Sequence, residues 1–307
     1  MHVVSALPGF CASGALFFVE IVSKGGDNVA FRAIAQELRL RAYTHRVLRT
    51  LDSGVLPLVL RYDQINSCET MVPVAYRTQT VIRSTALGYL TYREYNEVCE
   101  SYEVGFRMAE WNVREAMKHI THFVESGRNI DWISVRCPSG MVEKVDFYKW
   151  MKKLIKETHF RYPTKLCLEF GTSLLKRRTD AARLAVLDMK LLGVKTMLTG
   201  CADDSCYMSR IVDIPVDLVM LTPDATKWTG SRNKPQLVPT LVSYLRSMRT
   251  EVYAEGVFND EQVRLLNRFE CAGYTTAPSY VGENPTSRNL GVRKALAQRN
   301  TEDGFEI

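Results

Sequence analysis

From Trp132 onward the chain alternates short runs of β-branched and aliphatic residues with longer stretches of helical periodicity, and this alternation limits the fold more than any other feature. Strands are expected at Trp132 to Cys137, Leu166 to Phe170, Lys195 to Thr199, Val216 to Leu221, Val252 to Glu255 and Tyr274 to Ala277. Helices are expected between and after them, at Asp146 to Thr158, Leu174 to Leu192, Asp203 to Val212, Pro239 to Arg249 and Asp260 to Phe269. Two earlier runs, Leu56 to Ile65 and Val72 to Ile82, are separated by Asn66-Ser67-Cys68-Glu69, turn chemistry that suits an antiparallel hairpin. The total is eight strands. That count and order favour an α/β barrel over an open doubly wound sheet.

Barrels of this kind build their sites at the carboxyl ends of the strands. Val252-Tyr253-Ala254-Glu255 ends in a carboxylate there, Gly256 permits a sharp turn, and Asn259 or Asp260 is placed to cap the next helix. The block Ala254-Glu255-Gly256-Val257, followed by Glu261-Gln262, resembles the A-E-G-V-E-T-x-E-Q block of the EAL domain, the bacterial phosphodiesterase fold that hydrolyses cyclic di-GMP. Other blocks of that family follow the same order across residues 56–281. Tyr62-Asp63-Gln64-Ile65 is similar to Y-Q-P-I, and Pro73-Val74-Ala75-Tyr76-Arg77 to E-A-L-x-R. The run Leu87 to Tyr95 and the helical stretch Glu97 to Gly127 resemble the G-x-L-x-P-x-x-F-I-x-x-A-E segment and its helix. Ser134-Val135-Arg136 is similar to S-V-N, Leu168-Glu169-Phe170-Gly171-Thr172 to L-E-I-T-E, and Ala272-Gly273-Tyr274 to Q-G-Y. The resemblance implies an EAL-type (β/α)8-like barrel over residues 55–281, with its first strand antiparallel to the rest. An N-terminal helical extension, residues 1–54, precedes it, and a polar tail, 282–307, follows.

The EAL reaction uses water activated between two divalent metals, which needs several carboxylates and amides converging at the strand ends. Few of those groups are present. The position of the signature glutamate holds Pro73. Arg136 sets a cation where an amide oxygen would bind metal, an electrostatically hostile change. Thr172 replaces the second carboxylate of its block. The aspartate pair falls on Thr199 and Gly200, with Asp203 and Asp204 a few residues later. The lysine and aspartate of the K-I-D block fall on Met220 and Thr222, and the glutamine of Y-Q-P-I on Asp63. Glu169 and Glu255 remain, together with Arg77, which matches the family's phosphate-contacting arginine. These three read as a vestigial ligand site, the carboxylates paired with a cation such as Arg77 or Arg136, and Arg136 is expected to touch at least one of the glutamates.

The resemblance therefore implies a catalytically inactive bacterial signalling protein, without a cofactor, that acts through an unidentified protein partner. Two alternatives stay open. One is a cyclic di-GMP receptor that binds through Arg77 and Arg136 without cleaving; the other is an active phosphodiesterase with its ligands placed elsewhere, which would require Mg²⁺ or Mn²⁺.

Composition supports a globular chain: 307 residues, 46% hydrophobic and 24% charged, enough for one large core. After Gly25-Gly26, Phe31, Ile34, Ala35 and Leu38 recur at helical spacing opposite Arg32, Arg39, Arg41, Arg46 and Arg49, an amphipathic helix. The net charge of +6 concentrates there, at Lys149 to Lys165 and at Lys176-Arg177-Arg178. These are expected to be solvated helix faces; no aromatic interleaving points to nucleic acid. The eight cysteines contain no C-x-x-C pair and are expected to be reduced thiols in a cytoplasmic protein, Cys201 and Cys206 included. His119 and His122 lack a third ligand and are expected at the surface. The apolar start has no Lys or Arg before it and is broken by Pro8-Gly9, so no secretory signal is expected. No run is long and apolar enough to span a membrane.

Overall fold

The computed structural model describes residues 42, 58–84, 88–90, 102–202, 208–230 and 236–281. The chain divides between Arg39 and Leu40, and every described residue belongs to the second unit. The expected helix that starts after Gly25-Gly26, apart from Ala42, the run Leu87 to Tyr95, apart from residues 88–90, and the tail from Gly282 lie outside the described residues, as do Asp203, Asp204 and Cys206.

The elements in chain order are β1 (Leu58–Ser67), β2 (Pro73–Ser84), β3 (Gly88–Leu90), α1 (Tyr102–Glu125), β4 (Trp132–Arg136), α2 (Phe147–Glu157), β5 (Leu166–Gly171) and α3 (Thr179–Leu191). They continue with β6 (Lys195–Cys201), β7 (Leu218–Leu221), α4 (Pro223–Lys227), α5 (Leu237–Ser247), β8 (Glu251–Asn259), α6 (Asp260–Arg268) and β9 (Gly273–Val281). The sheet order β1-β9-β8-β7-β6-β5-β4-β2 closes because β1 also pairs with β2, and β3 hangs on β2 outside the ring. β1 runs antiparallel to both neighbours, and every other pairing in the ring is parallel. This is the expected eight-stranded barrel with its antiparallel first strand.

Strands covered on both faces are apolar on both faces, and these strands divide accordingly. Ile133, Val135, Leu166, Leu168, Phe170, Val219, Leu221, Val252 and Ala254 join the core between strands and helices. The opposite alternation sends Ile65, Ala75, Trp132, Cys167, Met197, Leu218, Met220 and Tyr253 into the barrel interior, where they form an apolar plug. Trp132 and Tyr253 meet edge to face with ring centres 5.5 Å apart. The plug fills the lower interior, and the inward positions above it, toward the carboxyl ends of the parallel strands, are polar.

Local signals start several helices. The Asp146 carboxylate accepts the Lys149 N–H at 3.0 Å to cap α2, and Asn259 accepts the Gln262 N–H at 2.9 Å to cap α6. Other expectations fail for tertiary reasons. The helix expected over 174–192 is split into a 3-10 turn, Thr172–Lys176, and α3. Glu143, from a separate turn, accepts the Arg178 N–H at 3.1 Å and lies 3.7 Å from the Arg177 guanidinium, which holds the break. The described part of the helix expected over 203–212 is a 3-10 turn, Met208–Asp213. His119 is buried rather than at the surface: it faces the barrel wall, and its Nδ1 shares a hydrogen bond with the Tyr62 hydroxyl, whereas His122 is exposed. The short helix α4 and strand β3 carry too few residues for periodicity to reveal them.

Candidate functional site

The inward side chains above the plug meet at the barrel mouth. Arg77 stands on β2, opposite Ser134 on β4. Ser134 is small and fully buried, so the arginine reaches past it to Glu169 on β5. Arg77 Nε donates to Glu169 Oε2 at 2.8 Å and Nη2 to Oε1 at 2.6 Å, a two-point pair. Its remaining nitrogen, Nη1, lies 3.1 Å from Glu255 Oε2 on β8. The Ser134 hydroxyl donates to Glu169 Oε2 at 3.3 Å. Arg136 adds the expected contact, with Nη1 at 3.5 Å from Glu169 Oε1, and is one-third exposed toward the mouth.

A bulge aims Glu255. Ala254 pairs with Tyr274 and Val257 with Thr276, so two residues of β8 oppose one of β9. Gly256 takes the left-handed conformation this requires, φ 75°, and its N–H is satisfied by the Thr275 hydroxyl at 3.2 Å. An added Cβ there would also come within 3.0 Å of Pro223.

Burial alone would raise the Glu169 pKa, but Arg77 and then Arg136 outweigh it and hold the carboxyl below its usual range. Burial likewise works against the Arg77 cation, and the two glutamates more than offset it, so its pKa is raised. Asp63, on β1 opposite Arg77, sits at the rim and accepts from the Gln79 side-chain amide. The surrounding barrel wall raises its pKa, Arg77 and Gln79 pull it down, and Glu255 and Glu169 push it up, with a net rise.

All three expected residues, Arg77, Glu169 and Glu255, thus converge, and Arg136 joins them. Pro73 does not. It opens β2 opposite Asn66, at the foot of the barrel and below Ala75 of the plug. The β2 residue that faces both glutamates is Arg77. Thr199 is buried and donates its hydroxyl to Phe170 O at 3.3 Å, Met220 belongs to the plug, and Thr222 caps α4 by accepting the Ala225 N–H. Ser134 and Gln79 are the partners that sequence reasoning passed over. The period-two alternation that points Arg77 inward points both of them inward as well.

These residues do not fit a divalent metal. Both oxygens of Glu169 are engaged by a guanidinium, and a second cation stands beside them. A hard cation there would have to displace Arg77 and would still lack most of its oxygen ligands. Among the described residues, no three His, Cys, Asp or Glu side chains gather into a metal-holding group. No helix among them is long and apolar enough to cross a membrane.

The family model of the EAL domain matches residues 47–275. Among solved structures, the chain is similar to one titled PaMucR phosphodiesterase, c-di-GMP complex, at 16% identity and TM-score 0.67, covering 76% of this chain and 93% of that one. It is similar to an EAL domain protein from Listeria monocytogenes EGD-e at 16% identity and TM-score 0.63, covering 81% and 96%. It is also similar to the FimX EAL domain from Pseudomonas aeruginosa bound to c-di-GMP, at 9% identity and TM-score 0.65, covering 76% and 93%. At these identities the structures speak for the fold. Among curated proteins no relative matches.

Proposed function

The chain belongs to the EAL domain family, and from that premise we propose that it is a bacterial regulatory relative that does not cleave cyclic di-GMP and works through contact with another protein. One observation carries the reading: the Arg77 guanidinium lies between Glu169 and Glu255, in the space a metal held by those carboxylates would need. A guanidinium stays charged across the accessible pH range, so titration does not vacate that space. Arg77, Glu169 and Glu255 are on this reading the remnant of a ligand site now closed on itself.

The receptor alternative asks Arg77 to contact phosphate, which requires breaking a buried two-point pair. Three carboxylates, Asp63, Glu169 and Glu255, also outnumber the two arginines at the mouth and oppose an anionic ligand. The described cysteines 68, 137, 167, 201 and 271 are buried, and Cys68, Cys137, Cys167 and Cys271 are free thiols, which supports a reducing, cytoplasmic setting.

Calorimetry with cyclic di-GMP, with and without Mg²⁺ or Mn²⁺, together with a cleavage assay on the same samples, tests this. The expected result is neither binding heat nor a linear dinucleotide product. Turnover abolished by Glu169→Ala would overturn the reading. Binding without turnover that is lost in Arg136→Ala would replace it with the receptor.

A further inference from the structure

Residues 143–190 contain twelve Lys and Arg against six Asp and Glu, so this stretch alone accounts for the net charge of +6 carried by all 307 residues. It supplies α2 and α3, which pack side by side on the outside of the barrel. The inner face of α3 is buried through Ala182, Ala185, Val186 and Met189. The outer face is also apolar: Leu184, Leu187 and Leu191 are 60%, 36% and 76% exposed. Spacings of three and four residues align them in one stripe, in the a-d-a pattern of a helix-packing seam. Isolated exposed leucines need no explanation, but a seam-spaced row along one helix marks a contact surface.

The flanks say what covers it. Arg183 is exposed beside the stripe, and α2 alongside exposes Lys152 and Lys156. Among the described residues none of these three has an ion pair. The helices α2 and α3 together carry six Lys and Arg against three Asp and Glu, so a second copy of this face would meet it with net like charge. Nucleic acid has no use for a leucine row, and a membrane surface does not select heptad spacing. We propose that α3, with the lysines of α2, is a docking face for an acidic amphipathic helix of a partner protein. The partner's apolar stripe lies along Leu184, Leu187 and Leu191, and its carboxylates lie against Arg183, Lys152 and Lys156. The proposal builds on the reading that this protein acts by protein contact, and names the surface. The two fail separately, since nucleotide binding and cleavage are read at the barrel mouth.

The test uses the full chain and a fluorescent synthetic helix with Leu at its a and d positions and Glu at e and g, followed by anisotropy at low and physiological salt. The wild type is expected to bind it and to bind a control with Ala in place of Leu about tenfold or more weakly. Leu184→Ser with Leu191→Ser is expected to lower affinity by about tenfold or more, and Arg183→Glu to lower it most at low salt. Because these side chains are exposed, circular dichroism should show all variants folded. Equal binding of the Leu and Ala helices, affinity unchanged in the serine variant, or no binding at all would overturn the proposal. So would retention on phosphatidylserine vesicles without peptide binding, which would assign the face to lipid.

Discussion

Arg77 is the residue on which the barrel mouth depends, because Glu169 is buried and ionised only in its company. Removing one partner of a buried pair costs about 3–5 kcal/mol, so Arg77→Ala should show a deficit of that order in urea unfolding at pH 7. The folded-state pKa of Glu169 lies below its ordinary 4.5, so the pair contributes fully above that pH and its contribution is lost as the pH falls below it. In Arg77→Ala only the more distant Arg136 and Ser134 are left to oppose burial and the carboxyl's pKa rises, so the deficit should shrink between pH 7 and 4. A deficit constant over that range would mean the arginine's role is packing. Arg136 is longer-ranged and partly exposed, and Arg136→Asn should cost less than about 1 kcal/mol. His119 titrates in a different window. Burial, then Lys118 and His122, push its pKa down to about 4 from 6.5, so the unfolded chain binds a proton between those values and the folded one does not. Stability should fall by roughly 3 kcal/mol as the pH drops through that window. His119→Gln, which keeps a hydrogen-bonding group for Tyr62, should flatten the slope.

Among the elements, the seam between β1 and β9 is where the barrel closes, and it rests on only two residue pairs, Asn66 with Tyr274 and Ser67 with Gly273. Gly273 allows that approach. A Cβ there would lie 2.7 Å from the Asn66 carbonyl oxygen and 2.9 Å from the Tyr253 ring, neither of which is the loose end of a flexible side chain. Gly273→Ala should therefore destabilise by about 2 kcal/mol and speed amide exchange first at Cys68 and its neighbours, since the Cys68 N–H donates to Ala272 O beside the seam. Uniform acceleration across all strands would show that the ring opens as one unit instead.

At the scale of the whole molecule, the closed barrel and its jacket of helices keep Cys68, Cys137, Cys167, Cys201 and Cys271 from solvent, and burial pushes the Cys271 thiol up to about 12. These five thiols should resist iodoacetamide in the native protein and react once it is unfolded, as read by peptide mass spectrometry. Rapid native labelling of Cys167 would mean the plug opens. The sequence alone determined the strand–helix alternation that favours a barrel, the antiparallel opening hairpin and a cap at Asn259 or Asp260, because side-chain period, turn chemistry and capping are local properties. It also singled out Arg77, Glu169 and Glu255, through resemblance. It gave Pro73 the signature glutamate's position, although Pro73 lies at the foot of the barrel, missed Ser134 and Gln79 as partners, set His119 at the surface and ran one helix through the break at Arg177 and Arg178. Those points depend on neighbours distant in the chain. Alternation along a strand tells which face a residue takes, but its height in the barrel, and so the group it meets, is decided by the stagger between strands, which exists only when the ring has closed.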